Sequence, residues 1–305
     1  METNILESFE ALFGANKRIY WLYILSSVLI ALLYLSANHK ERKINLSKKL
    51  WLHKSAVLDY NYFIVSFFIK TLLIVPLIIS VNEISIFVYE TLLELYGFTK
   101  IGFFTYFEVM ILFTFTLFVV SDFTRYLLHR LLHLVPFLWE FHKVHHSAKV
   151  LTPITFYRVH PLENLLFGFR YALSIGLVSG LFIYLFGAMI TIYDIVGVNA
   201  LLFIFSLMGS NLRHSHIKLS YPTVVEKILI SPFAHQLHHS TKFYNKNFGG
   251  YLSIWDRLFH TFQDSNEVKK SEQTIKFGVK TQDYQTIRDL LFRPFQNILG
   301  ENYAK

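Results

Sequence analysis

The chain has 305 residues, 53% of them hydrophobic, 17% aromatic and only 16% charged, with a net charge of +8 and a mean hydropathy of +0.39. Soluble domains carry about a quarter charged residues, so lipid must be part of this chain's solvent. No cysteine is present, which excludes disulfides, thiolate metal sites, cysteine-ligated haem and cysteine nucleophiles. The positive charge comes without a compact basic stripe or a nucleic-acid motif, so the membrane and not nucleic acid is the expected partner.

At the start of the chain, Glu2, Glu7 and Glu10 precede Lys17 and Arg18, and the apolar run 20–37 is long enough to span. That pattern reads as a retained anchor and not as a cleaved signal. Further apolar runs at 62–81, 102–121, 171–192 and 195–210 approach the ~20 residues a crossing helix needs. Lys70, Pro76 and Glu108 interrupt them, and the last run is short. The expectation is five crossings, or four with a re-entrant hairpin.

Charge placement orients them. Segment 38–54 is densely basic, whereas 82–100 carries Glu83, Glu90 and Glu94 against Lys100 alone. Arg125, Arg130, Lys143, Lys149, Arg158, Arg213, Lys218 and Lys227 all fall on the side of 38–54, which reads as cytoplasmic. The fold class expected is therefore all-α, an integral membrane helical bundle of four to five transmembrane spans with a cytoplasmic histidine-rich helical cap. Residues 1–120 would be membrane anchor helices. Residues 121–265 would be a catalytic region that includes further membrane helices within 171–210, and 266–305 a polar cytoplasmic tail.

Five of the fourteen histidines lie in "HRLLHLVPFLWEFHKVHH" at 129–146. His129 and His133 are four apart. His142, His145 and His146 form H-x-x-H-H, and His235, His238 and His239 repeat it. Residues three and four apart share a helix face, so each box aims its imidazoles one way, and Pro136 would turn the second box back towards the first. His214 and His216, in "NLRHSH", end the last apolar run on the same side.

Eight imidazoles exceed the needs of one ion, since a catalytic zinc site uses about three protein ligands. Two ions at four or five nitrogens each would use the set. Nitrogen-rich ligation suits iron, zinc, copper or nickel, and coordination offsets the crowding of imidazoles. Lone histidines such as His39, His53 and His260 read as interface residues. His160 in "RVHPLE" is a further ligand candidate or a neighbour that orients one. Glu140, Glu163 and Asp122 are candidates to orient imidazole N–H groups, and Asn211 to hold a metal-bound water or cap a helix.

Three other classes compete. A metal transporter would spread ionisable groups through the bilayer midplane, but these histidines fall outside the apolar runs. A zinc hydrolase would carry H-E-x-x-H, which is absent. A non-catalytic metal-binding membrane protein has no need for so complete a ligand set.

The elements "HRLLH" (129–133), "HKVHH" (142–146), "RVHPLE" (158–163) and "HQLHH" (235–239), with the glycine–aromatic run "KNFGGYLSIWDRLFHTF" (246–262), resemble the fatty acid hydroxylase/sterol desaturase superfamily of membrane non-haem di-iron enzymes. The resemblance covers roughly residues 50 to 265. It implies His129, His133, His142, His145, His146, His235, His238 and His239 as ligands to two iron ions, with one more from His214 or His216. It implies an O2-dependent hydroxylase of a lipid C–H bond, or a desaturase with the same site. The H-x-x-x-H spacing of the first box is similar to the sterol-oxidase and alkylglycerol-monooxygenase branches. No G-x-G-x-x-G opens a helix after a strand, so electrons would come from an external reductase or another external donor.

Overall fold

The computed structural model describes residues 14–99, 101–187, 190, 194–195, 198–271, 274–279 and 284–300. The acidic residues before Ala11 and the turn at Tyr193 lie outside the described residues. Helices dominate, as the composition requires. The one sheet among the described residues is a two-residue antiparallel ladder, Asp194–Ile195 with Val198–Asn199.

Helix α1 (Trp21–Ala37) is apolar throughout. Helix α2 (Lys54–Ile69) is capped by the His53 imidazole, whose Nδ1 accepts from the Ser55 N–H. It loosens into a π turn at Lys70–Ile74 and a 3-10 turn at Val75–Leu77. Pro76 lacks a backbone N–H and cannot continue the ladder. A new helix, α3 (Val81–Tyr96), then starts from a capping box of Ser80 and Glu83. Helix α4 (Tyr106–Leu134) starts the same way from Thr105 and Glu108. Glu108, a blemish in an apolar run, is thus a cap that satisfies orphan N–H groups. Pro136 takes the first position of α5 (Pro136–His146), where its missing N–H costs nothing. His160 caps α6 (Pro161–Phe186) through its side chain, and Gly187 ends it at φ 62°.

Helices α3 and α6 run side by side in the same direction along a ridge of small residues. Gly168, Ala172, Gly176 and Gly180 recur every four positions on α6, which lets backbones approach as in small-xxx-small membrane pairs. A Cβ on Gly176 would lie 2.6 Å from Ile84 Cβ, and one on Gly180 would lie 2.6 Å from the Ser85 carbonyl oxygen. Helix α4 runs antiparallel to α6, packing Val109, Phe113 and Leu117 against Val178, Phe182 and Phe186.

Three segments are long and apolar enough to cross a bilayer: Lys54–Tyr96, Tyr106–Leu134 and Pro161–Phe186; Trp21–Ala37 is a shorter apolar helix. Two sequence expectations change. Segment 82–100, expected to be a polar connection, is mostly α3, because its glutamates sit at the cap and on exposed positions while the glycine ridge of α6 receives its other face. The run 195–210 yields only α7 (Ala200–Leu207), ~12 Å at 1.5 Å per residue, too short for a crossing. It begins level with Thr114, in the first third of α4, where Asn199 Nδ2 donates to the Thr114 carbonyl (3.0 Å).

Helix α8 (Pro232–His238) is buried at every position. Helix α9 (Ile287–Leu299), from the polar C-terminal segment, buries Leu290 among Leu58, Tyr62, Val144 and Tyr284. One fully buried leucine contributes ~1.5–3 kcal/mol, and Asn297 adds a hydrogen bond to Glu140 (2.8 Å).

The α3–α6 contact is testable through Gly180→Val. The added side chain meets backbone and not a flexible tip, so overpacking should cost about 1–3 kcal/mol. A fall of several degrees in the thermal midpoint in detergent is expected. An unchanged midpoint would mean these helices do not pack as described.

Candidate metal centre

The C-terminal turns of α4, the whole of α5, the turn after α7 and helix α8 converge, and they bring nine of the ten box histidines into two groups. His129, His133, His142, His146 and His238 form one; His145, His214, His235 and His239 form the other, the candidate ligand nitrogens in each lying within 4.8 Å of one another. Neither group contains a carboxylate. In α5, positions 142 and 146 serve the first group while 145 serves the second. In α8 and its C-cap, 238 serves the first while 235 and 239 serve the second. Each H-x-x-H-H box thus bridges the two groups, because residues three and four apart flank one helix face.

Groups behind the rings decide which nitrogen points inward. A carbonyl oxygen only accepts, so Nδ1 must carry the proton wherever it meets one. His129 Nδ1–H donates to the Phe248 carbonyl (2.8 Å), His238 Nδ1–H to the Lys246 carbonyl (2.8 Å), and His145 Nδ1–H to the Arg158 carbonyl (3.2 Å). His142 Nδ1 faces a buried Glu163 carboxyl oxygen at 2.9 Å. In the three imidazoles that meet carbonyls, Nε2 is left as a bare lone pair. His129 Nε2 faces His142 Nε2 at 3.1 Å, and where the Glu163 carboxyl is ionised both present lone pairs. His145 Nε2 faces His214 Nε2 at 3.3 Å. Further buried nitrogens have no hydrogen-bond partner: both of His146, Nε2 of His238, and Nδ1 of His214, His235 and His239.

Buried polar atoms without partners are costly, and facing lone pairs repel. Cations between the nitrogens would relieve both penalties, so the donor set fits two metal ions. Burial holds the His142 imidazole down at about 3 and His145 down at about 4. Burial, reinforced by the neighbouring imidazoles, lowers His146, His214, His235, His238 and His239 well below the usual range. All are neutral near pH 7, the form that metals require.

The remaining candidates sort cleanly. His216 lies outside both groups; its Nε2 accepts from the Leu151 N–H (3.2 Å) and its ring packs on Phe277. His160 spends Nδ1 on the Leu162 N–H and Nε2–H on the Leu291 carbonyl (3.1 Å), as cap and clasp to α9. Asn211 Nδ2 donates to the Arg18 carbonyl (3.0 Å). Glu140 binds Lys143 and Asn297.

Asp122 accepts from the Tyr251 and Leu252 N–H groups and the Trp255 indole, which pins the 246–256 loop that supplies the Phe248 and Lys246 carbonyls. Asp256, absent from the sequence reading, holds the other side through the Phe248 and Gly249 N–H groups (2.8 and 2.7 Å). The Gly249–Gly250 pair is the sequence signal for this tight loop: a Cβ on Gly250 would lie 2.6 Å from Asp122 Oδ1.

A cavity of about 290 Å³ lined by Trp139, Lys143, His146, His239, Thr241 and Tyr244 reaches one imidazole from each group. A larger one, about 480 Å³, lies between the far ends of α3 and α6, remote from the histidines.

The fatty acid hydroxylase family model matches residues 114–261, the span from mid-α4 to the end of the pinned loop. Over that span the chain is similar to the fatty acid hydroxylase superfamily. Similar proteins include the ornithine lipid hydroxylase OlsE of Rhizobium tropici, 30% identical over 48% of this chain and 40% of the relative. Human alkylglycerol monooxygenase is 28% identical over 49% of this chain and 30% of its own length. The Delta(7)-sterol 5(6)-desaturase of Eremothecium gossypii is 27% identical over 47% and 35%. The chain thus matches less than half the length of these relatives. No solved structure gives a significant match.

The two groups give an expected pattern of metal content. Replacing His145 or His238 by alanine should lower metal per chain in elemental analysis of purified protein, whereas His216→Ala should leave it unchanged. Glu163→Gln, which replaces the carboxyl behind His142 by an amide, should weaken metal affinity about 10–100-fold. Equal loss in the His216 and His145 variants would break the assignment.

Proposed function

We propose that this membrane protein is an O2-dependent lipid oxidase with a di-iron centre, and that its reaction is hydroxylation of a lipid C–H bond. The observation that carries this reading is the pair of carboxylate-free histidine groups, nitrogens within 4.8 Å in each, bridged by two boxes and seated at the ends of membrane-length helices. The ligands are His129, His133, His142, His146 and His238 for one iron, and His145, His214, His235 and His239 for the other. The similarity to lipid hydroxylases, monooxygenases and a sterol desaturase supports the same class.

Iron, when bound, supplies the activation of dioxygen and the hydrogen abstraction that no side chain here can perform. The protein's own contribution is orientation. The Phe248, Lys246 and Arg158 carbonyls fix the tautomers of three imidazoles and make their Nε2 atoms better donors, and Glu163 sits behind a fourth. Asp122 and Asp256 hold the loop that carries two of those carbonyls. Burial of eight of the nine rings keeps the imidazoles neutral. Electrons come from an external donor, and the cap faces the cytoplasm, in line with the Lys and Arg residues gathered at that end. In domain terms, residues 121–265 form the catalytic region and the earlier helices anchor it.

Iron-reconstituted protein in lipid, given a reductant and ¹⁸O2, tests the reading. The expected products are lipids heavier by one ¹⁸O atom, lost in His145→Ala. Products lighter by two hydrogens without label would make the reaction desaturation. No oxygen uptake and no lipid product from iron-loaded protein would sink the enzyme reading altogether.

A further inference from the structure

Arg158, 1% exposed, is a buried guanidinium with a counter-ion, Asp59 at 2.8 Å. Beside the second histidine group, guanidiniums stand without one. Arg18, Arg125, Arg170 and Arg213 converge around Tyr251, and Arg125 is in electrostatic contact with each of the other three. None has a carboxylate within ion-pair distance among the described residues. The acid nearest to them, Asp122, is committed to two backbone N–H groups and the Trp255 indole.

Their donors are correspondingly underused. Arg213 is 1% exposed; its Nε has no partner, and its Nη2 makes only a long contact to the Ile230 carbonyl (3.5 Å). Arg125 makes no hydrogen bond to the described residues and lies over the Tyr251 ring. Arg170 spends Nη1 on Ser121 and Thr124 but buries Nε unpaired. Arg18 reaches the Ser210 carbonyl (3.1 Å) and sits over Phe156 at 4.1 Å. A guanidinium fork matches carboxylate and phosphate oxygens geometrically. Four forks without a counter-ion among the described residues are a site short of one oxyanion.

Depth identifies what carries that anion. About 20 residues of helix cross the hydrocarbon, so a count along α4 from Tyr106 places Arg125 at its edge, one turn before His129. A count back along α6 from Phe186 places Arg170 just within that edge. The surrounding Phe156, Tyr157, Phe205 and Tyr251 are the aromatic residues of an interface. The guanidiniums therefore occupy the headgroup layer, between the apolar helices and the histidines.

We propose that Arg18, Arg125, Arg170 and Arg213 bind the oxyanion headgroup, carboxylate or phosphate, of the lipid substrate and hold its headgroup-proximal atoms at the metal centre. This rests on reading the histidine groups as a lipid oxidase, and it adds the substrate class: an anionic lipid, engaged by its head.

Binding can be measured without turnover. Full-length protein in detergent is titrated, by native mass spectrometry, with phosphatidic acid, an N-acyl amino acid, chain-matched diacylglycerol and inorganic phosphate. One or both anionic lipids should bind at least tenfold more tightly than diacylglycerol. Selectivity for one of them would name phosphate or carboxylate. The double variant Arg18→Gln/Arg170→Gln should lose that preference while keeping its metal content and its weak diacylglycerol binding. Arg18→Lys/Arg170→Lys, which retains charge, should keep part of the preference and controls for folding. Metal-stripped protein should keep the preference, so failure of the iron reading would leave this result standing. The proposal is overturned by equal binding of anionic and neutral lipid, by a preference that survives in the glutamine variant or vanishes with the metal, or by inorganic phosphate binding as tightly as the lipids.

Discussion

The centre depends on one arrangement: imidazoles whose outer nitrogens are tied to the fold, so that their inner nitrogens face one another. His129 and His142 meet at 3.1 Å between Nε2 atoms, and His145 and His214 at 3.3 Å. The Phe248 and Arg158 carbonyls hold His129 and His145 with Nε2 unprotonated, and Glu163 sits behind His142. His214 Nδ1 has no partner among the described residues, so its tautomer is free to follow what binds. A cation in each group is the species that accepts both facing nitrogens as lone-pair donors.

The rest of the structure can be understood as the scaffold for that lock. The Phe248 carbonyl is placed by a loop that Asp122 and Asp256 grip from two sides. The Arg158 carbonyl is placed by a guanidinium that reaches Asp59 and the Tyr284 carbonyl, tying α2 and the C-terminal segment to the site. Glu163 is placed by the first turn of α6, whose cap His160 is clasped to α9. Elements distant in sequence therefore act on single ring nitrogens. This is why a site built from three short boxes and His214 needs some two hundred residues around it.

Much of the centre was legible in the sequence because helical spacing is local: the i, i+3, i+4 pattern places His142, His145 and His146 on one face wherever the helix goes. What was not legible is what depends on long-range contact. His214 and His216 are equivalent by composition, and what separates them is the long-range Leu151 N–H whose hydrogen bond His216 Nε2 accepts. Segment 82–100 looked like a polar connection because its glutamates dilute the hydropathy. Its helix is specified by a partner ridge, Gly168 through Gly180, that lies some ninety residues later and has no hydropathy signal. Glu108 and Pro76 looked like defects in spans; they are a cap and a break, whose meaning appears only when the helix ends are known.

The same depth argument links the anchor to the chemistry. A helix of 29 residues is about 43 Å long at 1.5 Å per residue, longer than the ~30 Å hydrocarbon core. Helix α4 must therefore emerge by two to three turns, and His129 and His133 stand on that emergent part. A lipid-oxidising centre at this height would favour atoms close to the headgroup over atoms far down the tail. The uncompensated guanidiniums lie at that same height, so the place where the fold can hold a headgroup and the place where it can hold metal are set by one helix length.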